Sequence, residues 1–253
     1  MLLRARPVPD PGAVLPAANA VAKLGAAAAL MTAAFVSVDL VTSLLVLGTV
    51  AAAFPFGGLQ AGSVMRMGGP LLAAAAVIGL VNLALATGPN RGWEQGLALG
   101  ARVAAIAAAG VLFVATTEPV DLAGGLVQQL HLSPRFAIGA LAALRLAPAL
   151  AAEWTTLLLA RRARGVDAGR SPLALVQLTA GALFGLLAGT IRRATRPGLA
   201  MDARGFGSRP CRTVARPQHM RGVDWALLLT AVALAMSAVA VSVALGTWRP
   251  LLG

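Results

Sequence analysis

Tyrosine is absent from this chain, lysine occurs once, at Lys23, and cysteine once, at Cys211. One cysteine excludes an internal disulfide and a thiolate metal cluster. Charged residues make up 12% of the 253 residues and hydrophobic ones 58%. Soluble domains carry about twice that charged share. The scarcity of charge therefore excludes a water-soluble globular domain and predicts an all-α integral membrane protein. Histidine is equally thin: His131 and His219 stand apart, with no acids at metal-ligand spacing. No Gly-x4-Gly-Lys-Ser/Thr loop occurs, so an ATP site of the Walker type is excluded. No serine or cysteine sits in a nucleophile motif, and no cofactor is expected.

The apolar runs come first. Val21 to Phe56 is interrupted only by Lys23, Ser37, Asp39 and scattered hydroxyls. As a single helix it would be about 54 Å long, too long for a hydrocarbon core of about 30 Å. Ser37-Val38-Asp39 is therefore expected to form a tight hairpin between two short or tilted spans. A third span is expected from Pro70 to Thr87, ended by Gly88-Pro89-Asn90, and a fourth from Gln95 to Thr117. Arg102 falls near the start of the fourth and is expected to snorkel to the interface. A fifth runs from Val223 to Thr247, with Trp225 and Trp248 at its ends as interfacial anchors. Ahead of the first span, Met1 to Asn19 lacks the pattern of a cleavable signal, so insertion is expected to rest on the spans.

Between the fourth and fifth spans the texture changes. Ser133-Pro134 and Ser171-Pro172 each give a helix-start signal, serine as N-cap and proline at the first helical position. Two long helices follow, the first with Pro148 as an expected kink, the second with a bend expected at Arg196-Pro197. On the second, Gly181, Gly185 and Gly189 recur every fourth residue, a face on which another backbone can approach closely. On the first, Gly139, Ala143, Ala147 and Ala151 make a similar row. Glu118, Asp121 and Glu153 are expected to find structural partners such as Arg145 or Arg135.

Charge predicts orientation. Twelve arginines against Asp167 and Asp202 lie between Arg161 and Arg221, a net of +10 out of the chain's +12. The positive-inside rule places that segment in the cytoplasm. Four spans precede it, so the N-terminus is expected there too. The basic run lacks interleaved aromatics, so topology and protein contact explain it, and no nucleic-acid partner is expected.

Each long helix ends in the same tripeptide: Ala163-Arg164-Gly165 and Ala203-Arg204-Gly205. Glycine stops a helix readily, and arginine in the last turn faces the negative end of the dipole. One copy alone reads as ordinary capping. Two copies, both ending long helices in one arginine-rich region between spans, make the chain resemble the transmembrane scaffold subunit, or T component, of energy-coupling factor (ECF) transporters. The resemblance also runs through Thr116-Thr117-Glu118-Pro119-Val120-Asp121-Leu122 and Leu144-Arg145-Leu146-Ala147-Pro148. It covers the chain from about Thr116 to Gly207, while the N-terminal spans match only as hydrophobic segments.

The resemblance implies a non-catalytic subunit of a multi-pass cell-membrane importer for a vitamin or a transition-metal ion such as cobalt or nickel. Two cytoplasmic ABC ATPases would be its partners, together with a membrane S component that binds the substrate. Residues 1–118 would form the four-span region, 119–222 a cytoplasmic domain of crossed coupling helices, and 223–253 the last span. Arg164 and Arg204 would dock in grooves on the ATPases, with Gly165 and Gly205 permitting the turns and Asp202 and Arg161 or Arg162 supporting the ends. Gly181, Gly185 and Gly189, with Arg145 and Pro148, would form the helix crossing and the platform for the S component. The four N-terminal spans carry little polarity, which fits a scaffold without its own substrate site. Two other classes stay open on the residues alone: the membrane subunit of a different ATP-driven transporter, and an intramembrane enzyme in the region of Thr116 to Gly207.

Overall fold

A computed structural model describes residues 13–59, 61–85, 92–165, 172–206 and 216–248. The Gly88-Pro89-Asn90 break, the Ser171 cap, Gly207 and the basic loop at 207–215 lie outside these residues. The described chain is helical: α1 (Val14–Ala17), α2 (Ala20–Val36), α3 (Leu40–Ala53), α4 (Ala61–Leu85), α5 (Gly92–Thr116), α6 (Pro119–Gln129), α7 (Pro134–Ala163), α8 (Pro172–Ala203) and α9 (Gly222–Ala244), with a 3-10 turn at Pro55–Gly57. It divides into two compact units. One holds residues up to Leu132 and from Gln218 onward, and the other is Ser133–Pro217.

In the first unit the expected hairpin is present. Asp39 is the N-cap of α3, its carboxylate accepting from the Thr42 amide at 2.7 Å. The same oxygen takes a bond from the Ser242 hydroxyl at 2.7 Å, which ties the hairpin to α9. At the other end of α2, the Asn19 side chain caps the Val21 amide at 2.9 Å. The core joins α2, α3, α5 and α9 through Ala33, Ala34, Val46, Val50, Ala105, Ala109, Leu112, Ala235 and Ala238. Six of these nine side chains are alanine. Between helices in lipid the driving force is close van der Waals contact, which small residues permit.

The closest helix approach is between α4 and α5. A Cβ on Gly96 would lie 2.9 Å from the Leu83 amide nitrogen and 3.0 Å from the Gly79 carbonyl oxygen. One on Gly100 would lie 3.2 Å from the Gly79 Cα. α4 begins at Ala61, well before the expected start at Pro70, and takes that proline inside the helix.

Buried cations join α2 to α5. Lys23, 6% exposed, donates to the Thr116 carbonyl at the end of α5 at 2.8 Å, and to the Pro16 carbonyl at 3.4 Å. Arg102 donates to the carbonyl of Phe35 in the last turn of α2, and its guanidinium lies over the Phe35 ring, 5.0 Å from the centroid. The expected snorkelling is thus replaced by burial, with Arg102 only 8% exposed. The open carbonyls of a helix C-terminus supply the compensation that water would have given.

Among the described residues five helices are long and apolar enough to cross a membrane: α3 with its 3-10 turn, α4, α5, α7 and α9. The number equals the expected one, but the membership differs. α2 has 17 residues, about 26 Å of helix, while α7 qualifies although the sequence places it in the cytoplasmic domain. Trp225 in the first turn of α9 and Trp248, four residues beyond its end, are both exposed.

Candidate functional site

The second unit consists of α7 and α8. Ser133 occupies the N-cap position of α7, but its hydroxyl makes no cap bond; Pro134 at the first helical position supplies the start. Pro148 and Pro197 both lie inside continuous helices. Two contacts give the packing. The Arg161 guanidinium donates to the Leu178 carbonyl at 2.8 Å, and Glu153 pairs with Arg193. As the chain descends α7 from 161 to 153 it meets α8 from 178 to 193. The helices are therefore antiparallel.

Each Ala-Arg-Gly tripeptide closes its helix in the same way. Gly165 (φ +76°) donates its amide to the Arg162 carbonyl at 2.9 Å, and Gly205 (φ +73°) donates to the Asp202 carbonyl at 2.9 Å. At the second copy the Phe206 amide also reaches back to the Met201 carbonyl at 2.9 Å. That pair of bonds is the Schellman arrangement, which requires a left-handed residue after the C-cap and so selects glycine. Ala163, Arg164, Gly165, Ala203, Arg204 and Gly205 are all exposed. Among the described residues neither the Arg164 nor the Arg204 side chain has a partner within the chain. Antiparallel packing sends the two ends to opposite ends of the pair, and α8 has 32 residues, about 48 Å.

The remaining candidates separate. Arg162 and Asp202 are exposed beside the cap turns and supply only their carbonyls. Arg161 turns inward: a Cβ on Gly181 would meet its guanidinium at 3.0 Å. Gly189 underlies the ion pair, its Cβ position 3.6 Å from both Glu153 Oε1 and Arg193 Nη2. Gly185 has nothing within 4 Å of that position. Among the described residues the glycine row thus seats polar side chains, and no backbone crosses it at Gly185. Arg145 and Pro148 are exposed on α7. Glu153 has Arg193 as partner and neither Arg145 nor Arg135. No group of three or more His, Cys, Asp or Glu that could hold a metal ion occurs among the described residues.

A sequence profile of the CbiQ family, described as cobalt transport protein, matches residues 13–214. The chain belongs to that family. Two curated relatives are each described as energy-coupling factor transporter transmembrane protein EcfT. The one from Heliobacterium modesticaldum is 34% identical over 146 residues, 54% of either chain. The one from Bacillus selenitireducens is 31% identical over 152 residues, 55% of either chain. The chain spans about half the length of the curated relatives it matches. Family and relatives agree with the resemblance carried by the paired tripeptides: this is an ECF-type T component and a multi-pass membrane protein.

Sequence reasoning missed three features of this T component. Lys23 and Arg102 bond to backbone carbonyls, which leave no side-chain signature. Asp224, wholly buried, accepts from the amides of Asn19 (2.7 Å) and Arg221 (2.8 Å) and so ties the start of α2 to α9. Its signal was an acid in the first turn of an apolar span, a position where the helix dipole favours it. The Gly96-x3-Gly100 spacing on α5 was as readable as the row on α8.

Proposed function

We propose that this T component is the coupling scaffold of an ATP-driven importer, joining two cytoplasmic ABC ATPases to a membrane S component that binds the substrate. One observation carries this reading. Two cap turns of the same geometry present exposed arginines, unpartnered among the described residues, at opposite ends of one antiparallel helix pair. A guanidinium is a planar, fixed-charge donor suited to carboxylate or carbonyl groups in a groove. Two such ends, a helix length apart, suit two separate sites better than one. Closure of the ATPase pair on binding ATP would displace the docked ends, and the helices would carry that movement to the S component.

Placing α7 on the cytoplasmic side follows from its charges, although its length would let it span. Across a bilayer, Arg145 and Glu153 would lie close to the midplane on either side of the helix centre. Insertion scales put the cost at about 2.5–3.5 kcal/mol for such a charge. Lying at the cytoplasmic face, with Arg161, Arg162 and Arg164 at its end, α7 avoids that cost and obeys the positive-inside rule. α2, α3, α4, α5 and α9 would then be the spans, the short α2 helped by its buried caps. The cargo would be a vitamin or a transition-metal ion such as cobalt or nickel, the metal being the class that the family's description favours. Catalysis would belong to the partner ATPases.

Co-purification with the ATPase subunits tests the reading. Arg164→Glu and Arg204→Glu should insert normally and lose ATPase binding and uptake, while Arg212→Glu, outside either tripeptide, should retain both. Truncating a buried, hydrogen-bonded interface charge costs about 2–5 kcal/mol. Equal loss in all three variants would reduce the arginines to a diffuse positive surface and overturn the docking of named ends.

A further inference from the structure

α7 and α8 touch over little of their length, and most residues of both are exposed. Among the described residues two polar contacts fasten the pair: Arg161 to the Leu178 carbonyl, and Glu153 to Arg193. Arg161, bonded to the Leu178 carbonyl and seated on Gly181, joins the last turns of α7 to the second turn of α8, the two ends that are adjacent in the chain. Chain continuity keeps that end together whatever the angle. The Glu153–Arg193 pair, seated on Gly189, lies about two turns further along α7 and about four turns further along α8. Splaying that keeps the chain-adjacent ends together parts this second point before the first, because displacement grows with distance from those ends.

The chemistry of the second point suits a contact that is made and broken. Its side chains are 28% exposed for Glu153 and 45% for Arg193, and partly exposed ion pairs are weak. Gly189 leaves the pair uncovered, so water can reach both charges as they separate. A packed apolar contact there would resist opening with every buried methylene. Neither residue is at a cap turn, so neither is needed to present Arg164 or Arg204.

We infer that Glu153 and Arg193 are positioning residues, a breakable tie that sets the resting angle between the two ATPase-facing helices and parts when ATP closes the ATPases. The inference rests on the coupling reading above for its trigger, while the tie itself belongs to the chain alone.

Distances between spin labels on exposed Leu159 and Phe184, in a Cys211→Ala background, test it. The full chain is measured alone, and in nanodiscs with its ATPase subunits, with and without a non-hydrolysable ATP analogue. In the chain alone, Glu153→Arg and Arg193→Glu should each deplete the resting distance by at least about fivefold, the lower end of usual coupling effects. The double exchange, Glu153→Arg with Arg193→Glu, should restore it. In the complex, the nucleotide should shift the unaltered chain toward the distance the single variants already show. Single variants that keep the resting distance would overturn the tie, as would a double exchange that fails to restore it. ATPase co-purification in the same samples separates the two ideas. If the unaltered chain binds no ATPase, the coupling reading falls, and the tie is still decided by the chain alone. If the single variants lose ATPase binding and the double exchange does not regain it, the pair serves the fold of the ends and the positioning role is overturned.

Discussion

Lys23 and Thr116 are joined by a bond from the buried ammonium to the carbonyl at the end of α5, 2.8 Å long. Arg102 of α5 returns the same service to Phe35 at the end of α2. The two helices are antiparallel neighbours, and each closes the other's C-terminus with a cation. In water such carbonyls would be solvated; at the edge of a bilayer they need a protein donor. A positive charge also meets the negative end of the dipole there. This explains how the four-helix core retains two buried cations.

Removing either cation should therefore destabilise the fold more than its surroundings suggest. Hydrogen bonds to charged groups contribute about 1.5–3 kcal/mol. Lys23→Met and Arg102→Met should each lower stability by about that amount in detergent, measured by thermal or denaturant unfolding. Arg102→Lys should recover part of the loss, because it keeps a charged donor but not the planar group over Phe35. Unchanged unfolding in both Met variants would mean that burying the cations costs as much as their bonds return.

The glycines of α4 and α5 give a sharper contrast. Gly96→Ala must push apart the backbones at Leu83 and Gly79, and overpacking of this kind costs about 1–3 kcal/mol. Gly185→Ala on α8 meets nothing within 4 Å. Alanine is the better helix former by about 0.8–1.0 kcal/mol, so that variant should fold at least as well as the parent. A Gly185 variant that assembles poorly only when ATPases or an S component are added would locate a partner's surface at that glycine.

Asp224 holds two segments distant in the chain. Its carboxylate accepts from the buried Asn19 amide and from the Arg221 amide. Asp224→Ala leaves both donors without that acceptor, at about 1–3 kcal/mol for a buried group. Asp224→Asn keeps one good acceptor and should cost less. Hydrogen exchange of the Asn19 and Arg221 amides checks the assignment: both should lose protection in Asp224→Ala.

How far the sequence can be read depends on whether a feature is local. The Ser37–Asp39 hairpin, the proline start of α7 and the two tripeptides at helix ends are local, and they stand where expected. The resemblance carried by the tripeptides matches the family and the named relatives. What failed depends on which surface arrives from elsewhere. Gly-x3-Gly marks a face open to close approach, on α5 as on α8, and among the described residues a backbone comes to it at Gly96 and Gly100 and not at Gly185. Glu153 has arginines on its own helix and on α8, and only the antiparallel register selects Arg193. Proline within an apolar helix is also ambiguous. Pro70, Pro148 and Pro197 are all accommodated without ending their helices, and Pro70 therefore misled the placement of α4.

The glycines that end the two tripeptides separate conformation from space. At φ +76° for Gly165 and +73° for Gly205, a Cβ costs about 1–2 kcal/mol in the left-handed region. Among the described residues a Cβ on Gly165 would meet nothing inside 4 Å, so the penalty there is one of conformation. Gly165→Ala should unwind the cap turn and turn the Arg164 guanidinium away from its presented direction. ATPase binding should weaken by about 5–30-fold, the equivalent of that strain. Asparagine visits the left-handed region far more readily than alanine. If conformation is what the glycine supplies, Gly165→Asn should bind nearly as well as the parent, with Gly205 following the same order. Binding titrations with the purified ATPase subunits give the answer. Should asparagine be as harmful as alanine at either site, the glycine is there to let the partner's surface approach, and the groove must close around the turn itself.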